Sequence, residues 1–70
     1  MKKEKVLIHE PYNKLKGFAV EKGIKYADFA KLLGVTITTI SMKINGYSDF
    51  YLNEQKLLKK HYGISDDFFS

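Results

Sequence analysis

The sequence contains no cysteine, no arginine and no tryptophan, carries a single proline, Pro11, and has no uninterrupted apolar run longer than the triplet Val6-Leu7-Ile8. Without cysteine there is neither a disulfide framework nor a thiolate metal site. The two histidines, His9 and His61, lie too far apart in sequence to form a local ligand pair, so no metal and no cofactor is expected. The lack of a long apolar run excludes a membrane-spanning helix. The basic start Met1 to Lys5 is also not followed by the roughly 7 to 15 apolar residues of a signal peptide. A cytoplasmic protein with no membrane partner is therefore expected. The lack of arginine removes the guanidinium fork that makes the commonest bidentate contact to guanine.

What the chain has is lysine. Its 70 residues hold 12 basic and 8 acidic side chains for a net charge of +4, which makes a polyanion a plausible partner. A chain of this length forms one domain and buries only about 60% of the surface its unfolded form exposes, which disfavours a deep catalytic cleft.

Residues 1–11 read as a short N-terminal arm. Lys2, Lys3, Glu4 and Lys5 are solvated, Val6-Leu7-Ile8 is compatible with a strand or a tail, and Pro11 blocks continuation. A strand there would present an open edge and invite pairing with a second chain. From residue 12 onward the pattern becomes helical. Tyr12, Leu15, Phe18 and Ala19 predict a helix over 12–22 closed by Gly23, and Tyr26, Phe29, Ala30 and Leu33 predict one over 26–33 closed by Gly34. Thr36 offers an N-cap for a third helix over 37–44, with Ile40 and Ile44 on one stripe and Asn45-Gly46 as its stop. The strand propensity of Ile37 to Ile40 argues the other way and is outweighed by the flanking caps. Leu57, Leu58 and Tyr62 predict a fourth helix over 53–62 ending at Gly63. Ser65 caps a fifth of one or two turns that returns Phe68 and Phe69 to the core. The expectation is an all-α, compact five-helix bundle over 12–70.

Two short helices separated by Gly34-Val35-Thr36 have the spacing of a helix-turn-helix unit, which on periodicity alone is also compatible with an ordinary helical bundle. Specific residues go further. The segment Ile24 to Gly46, with anchors Ala30, Gly34, Val35, Thr36, Ile40, Ser41, Asn45 and Gly46, resembles the helix-turn-helix of phage repressors and Cro-like proteins. The likeness extends through SMKINGYSDF (41–50), Glu54 and GISDDFF (63–69), as in small regulators of phages and prophages of Gram-positive bacteria. It covers residues 12–69. The resemblance implies a lambda-repressor-like bundle and sequence-specific binding of double-stranded operator DNA by a transcriptional regulator. The family commonly buries an Arg from its first helix against a Glu at the end of its third, and the matching positions here, Ala19 and Ile44, are both apolar. Losing both partners avoids stranding one buried charge, which would cost about 3 to 5 kcal/mol.

Ala30, Gly34 and Ile40 serve the fold: a small residue at a close helix crossing, a turn with positive φ, and a core anchor. Readout must come from the outward face of the third helix, which makes Ile37, Thr38, Ser41 and Met42 the base-reading candidates. Thr38 and Ser41 can hydrogen-bond base edges while Ile37 and Met42 pack on thymine methyls, predicting a thymine-biased site. For the phosphates, the resemblance maps contacts onto Lys25, Tyr26, Thr36, Lys43, Asn45, Tyr47 and Ser48, helped by backbone N–H groups at helix N-termini. Lys14, Lys16, Lys22 and Lys31 read as solvated helix faces.

An alternative function is a small phage modulator or antirepressor that binds a repressor protein through the Ile37 and Met42 face or through the arm. In the DNA-binding reading, a dimer on a palindrome is expected, because one recognition helix makes a small interface. No enzyme is expected. Asp66 and Asp67 are explained as charge at a helix start, His61 lies beside Tyr62 on a helix, and no nucleophile, base and orienting group converge by spacing.

Overall fold

The computed structural model describes residues 7–69. Four α-helices follow one another, α1 (Asn13–Lys22), α2 (Tyr26–Leu33), α3 (Ile37–Asn45) and α4 (Leu52–Tyr62), and the chain closes with a 3-10 turn over Asp66–Phe69. No strand occurs among the described residues. The expected fifth helix is thus a single tight turn, and α1, α3 and α4 differ by one residue at an end from the periodicity reading. Val6 of the apolar triplet lies outside the described residues, while Leu7 and Ile8 form no strand.

The helices end where glycine permits a left-handed residue. Gly34 adopts φ 73° after α2, and its N–H donates to the Ala30 carbonyl. Val35 N–H reaches the same carbonyl at 3.0 Å. This arrangement reverses the chain within three residues and sets α2 against α3.

The core is built from the apolar stripes of all four helices. Leu15, Ala19, Phe29, Ala30, Ile40, Ile44 and Leu58 are buried, joined by Tyr12 and by Phe50 and Ile64 from the connections. In α3 the three buried positions are Ile40, Lys43 and Ile44, spaced i, i+3, i+4. Aromatic rings tie the C-terminal turn to this core on two sides. Phe68 packs edge-on against Phe18 at 5.6 Å between centroids, and Phe18 and Phe29 each meet Tyr62, at 6.1 and 5.4 Å. Phe69 meets Tyr12 at 5.8 Å and Phe50 at 5.6 Å. Edge-to-face pairs at these distances add to the burial that holds a small core together. Two ion pairs, Lys14 with Asp67 and Lys59 with Asp66, fasten the turn from outside.

Candidate functional site

Helix α3 is oriented by its two ends and by one buried stripe. At its start Thr36 Oγ1 accepts the Thr39 N–H at 3.1 Å, so one of the orphan N–H groups of the first turn is satisfied by the side chain expected to cap it. At its end Asn45 turns back, its Nδ2 donating to the Ser41 carbonyl at 2.8 Å and to Ser41 Oγ at 3.2 Å. With Ile40 and Ile44 fully buried, the opposite side of the helix faces outward: Ile37 is 54% exposed, Met42 37%, Thr38 is exposed and Ser41 half-buried. These four residues stand at i, i+1, i+4 and i+5, which places them on one face. The Ser41 hydroxyl, accepting from Asn45, keeps its own proton to donate. Chemically the face is two hydroxyls flanked by two flexible or branched apolar groups.

The residues expected at phosphates are distributed less uniformly. Lys25, the N-cap residue of α2, is exposed, and its backbone N–H donates to Asp28 Oδ2 at 2.8 Å. Tyr26 is half-buried and packs against the core, and the Thr36 hydroxyl is engaged in the cap of α3. Tyr47 is 37% exposed and Ser48 half-buried. The backbone N–H groups of Tyr47 and Ser48 turn inward to the Met42 carbonyl, at 2.9 and 3.3 Å. The amide of Asn45 is likewise spent on its own helix.

Lys43 is corrected from a surface phosphate contact to an internal residue. Its Nζ lies 2.5 Å from Glu54 Oε1, with the two side chains 7% and 9% exposed. Glu54 Oε1 also accepts the Tyr51 N–H at 3.0 Å, capping α4, and the Lys43 ammonium sits over the Tyr51 ring at 4.5 Å from its centroid. The stripe that carries Ile40 and Ile44 inward carries Lys43 with them. Its methylenes pack among apolar neighbours while its charge is met by a carboxylate and a ring face. The pair therefore fastens the end of α3 to the start of α4.

A second cluster, not anticipated from the sequence, joins the arm to the loop after α3. The Ile8 N–H donates to the Gly46 carbonyl at 2.7 Å, and His9 Nε2 lies 2.8 Å from the Ser48 carbonyl. His9 stacks on Tyr12 with ring centroids 4.1 Å apart. The Tyr12 hydroxyl donates to Asp49 Oδ1 at 2.5 Å, and that oxygen also accepts the Phe50 N–H at 2.8 Å. Burial first, and then the Asp49 carboxylate, push the Tyr12 phenol well above its ordinary range. Gly46 adopts φ 101°, and a Cβ there would drive into the His9 carbonyl oxygen. Glycine is required at this position by both backbone conformation and space.

Away from α3, Ile24, Leu32 and Tyr62 line a cavity of about 400 Å³ between α2 and α4, with Asp28, Lys31 and His61 around it. Burial, then the charge of Asp28, raises the Tyr62 phenol above its ordinary value. Among the described residues no cluster of three or more metal-ligating side chains occurs, and no helix is long and apolar enough to cross a membrane. Comparison of the chain with protein-family models, with curated proteins and with solved structures gives no match.

Proposed function

We propose that this protein is a sequence-specific double-stranded DNA-binding regulator of transcription, of the phage repressor or Cro type. In this reading the bundle is lambda-repressor-like, α2 and α3 are its helix-turn-helix, and α3 enters the major groove. The observation that carries the reading is the division of α3 into two faces. One is locked into the core by Ile40, Lys43 and Ile44, while the other presents Ile37, Thr38, Ser41 and Met42 together. Thr38 and Ser41 supply hydrogen bonds to base edges, and Ile37 and Met42 supply apolar contact to thymine methyls. With Lys43 turned inward, phosphate binding rests on Lys25, on the hydroxyls of Tyr26, Tyr47 and Ser48, and on the N-terminal backbone of α2 and α3. A homodimer on a palindrome, with half-sites about one helical turn apart, supplies the interface area that one short helix lacks.

The exposure of Ile37 and Met42 favours a second reading, in which the same face docks a repressor protein. Selection from a random duplex pool at about 0.15 M salt separates the two, since specific sites exceed bulk DNA by at least about a thousandfold. Enrichment of a palindromic, thymine-rich site, weakened by Thr38→Ala and Ser41→Ala, is the expected result. A pool that returns no enriched site assigns the α3 face to a protein partner.

A further inference from the structure

We propose that residues 7–12 act as a positioning strap, which clamps the loop after α3 so that Tyr47 is held at the DNA backbone, with His9 as the central positioning residue. This inference rests on the DNA-binding reading.

The strap grips the loop on both sides of Tyr47. The Ile8 N–H takes the carbonyl of Gly46, the residue before it, and His9 takes the carbonyl of Ser48, the residue after it, at 2.7 and 2.8 Å. The loop's own N–H groups at Gly46, Tyr47 and Ser48 all turn to the Met42 carbonyl. The donors of this turn are thus held by α3 and the carbonyls of Gly46 and Ser48 by the strap, which leaves the backbone little freedom to reorient. His9 is itself braced. Its ring stacks on buried Tyr12, and its Nε2 is 3.6 Å from Asp49 Oδ1, the oxygen to which the Tyr12 hydroxyl donates.

Core burial holds only the far end of the strap, at Tyr12. Leu7 and Ile8 are 48% and 64% exposed, so its leading half buries little apolar surface and is held chiefly by polar contacts to a loop 39 residues away in sequence. The His9 side chain, by contrast, is only 15% exposed. The absence of a side chain at Gly46 is what lets the strap backbone pass so close. In the DNA-binding reading, a contact that fixes the loop carrying Tyr47 strengthens binding to every sequence alike, because phosphate contacts position the protein and base contacts specify.

The test is fluorescence anisotropy on the selected duplex and on a scrambled duplex of the same length, with thermal melting of each protein alongside. The proteins are wild type, His9→Ala, His9→Gln and Ile8→Pro, the last of which removes the N–H donor to Gly46 without touching the core. His9→Ala and Ile8→Pro are expected to weaken binding to both duplexes by the same factor, about fivefold to tenfold, the worth of one or two hydrogen bonds. The ratio between duplexes and the fraction of active protein stay unchanged, and His9→Gln, which keeps a donor, recovers most of the loss. If His9→Ala does not fold at the assay temperature, Ile8→Pro decides. Wild-type affinity in Ile8→Pro and in a folded His9→Ala overturns the strap while the DNA-binding reading stands. A wild-type protein with no preference for any duplex overturns that reading, and the strap's role at DNA with it.

Discussion

The Lys43–Glu54 pair makes a quantitative demand on stability. Both side chains are more than nine-tenths buried and their charged atoms are 2.5 Å apart, so removing one charge strands the other out of water. The substitution that isolates this effect is Glu54→Gln, because its amide oxygen can still accept the Tyr51 N–H that Glu54 now holds. Breaking a buried pair costs about 3 to 5 kcal/mol, and the Tyr51 ring beneath the ammonium returns about 1 kcal/mol of that. A loss of about 3 kcal/mol is therefore expected for Glu54→Gln, and a similar loss for Lys43→Met. A 70-residue domain holds about 4 to 10 kcal/mol of net stability, so each single variant forfeits a third or more of it. Its melting midpoint falls by about 12 to 24 °C. The double variant Lys43→Met/Glu54→Gln buries no charge and should lose far less than the sum, giving a coupling of at least about 2 kcal/mol. Urea unfolding followed by circular dichroism at neutral pH reads all four corners of the cycle. Single losses under about 1 kcal/mol that simply add, the behaviour of a solvent-exposed pair, would refute the burial argument.

Further outcomes follow from other contacts. Because the Tyr12 phenol is raised by burial and by Asp49, its neutral form is favoured by folding. That stability is present in full below the unfolded tyrosine value near 10 and is lost as pH rises above it, so an ultraviolet alkaline titration should show Tyr12 ionising only as the fold melts. Asp67 is held below the usual carboxylate range, first by its hydrogen bond from Lys14 and then by Ser65. Its contribution is present above the unfolded carboxylate value and lost as pH falls through the folded one. The melting difference between wild type and Asp67→Asn should accordingly vanish in acid. Leu58, fully buried on α4, should cost about 2 to 5 kcal/mol when truncated to Ala, read by urea unfolding. Lys25→Ala should lower the steepness of the salt dependence of DNA binding by about 0.9 per protomer, the signature of one phosphate released, without lowering the melting temperature.

Much of the helical framework was legible because its signals are local. The stripe Tyr26, Phe29, Ala30, Leu33 and the stop at Gly34 define α2 as residues 26–33, as the structure has it, and Thr36 caps α3 as its hydroxyl chemistry suggests. The C-terminal segment was harder. Its two aromatics and two acids mark a structured turn, but too few residues follow Ser65 to distinguish an α-helical turn from a 3-10 one. The phosphate role that the resemblance implies for Lys43 runs against the periodicity of α3. Lys43 falls three residues after Ile40 and one before Ile44, on the inward stripe, and that spacing alone points it toward the core. Its partner Glu54 is 11 residues away on another helix, a pairing no local pattern encodes. The cluster of His9, Tyr12 and Asp49 was invisible for the same reason. Its members are linked only once α1 and the end of α3 have packed, and no local pattern assigns a role to His9. On the candidate face, sequence reasoning identified which side of α3 points outward. Which phosphate candidates are spent on caps and ion pairs emerged only from the tertiary contacts.

The central claim, that the exposed face of α3 reads DNA sequence, is tested most directly by titrating the protein into a labelled selected duplex and its scrambled counterpart over a range of salt concentrations. The account predicts a preference of at least about a thousandfold at 0.15 M salt. It also predicts that Thr38→Ala and Ser41→Ala erode that preference by lowering affinity for the selected duplex alone. Equal affinity for the two duplexes, unchanged by either substitution, would contradict it.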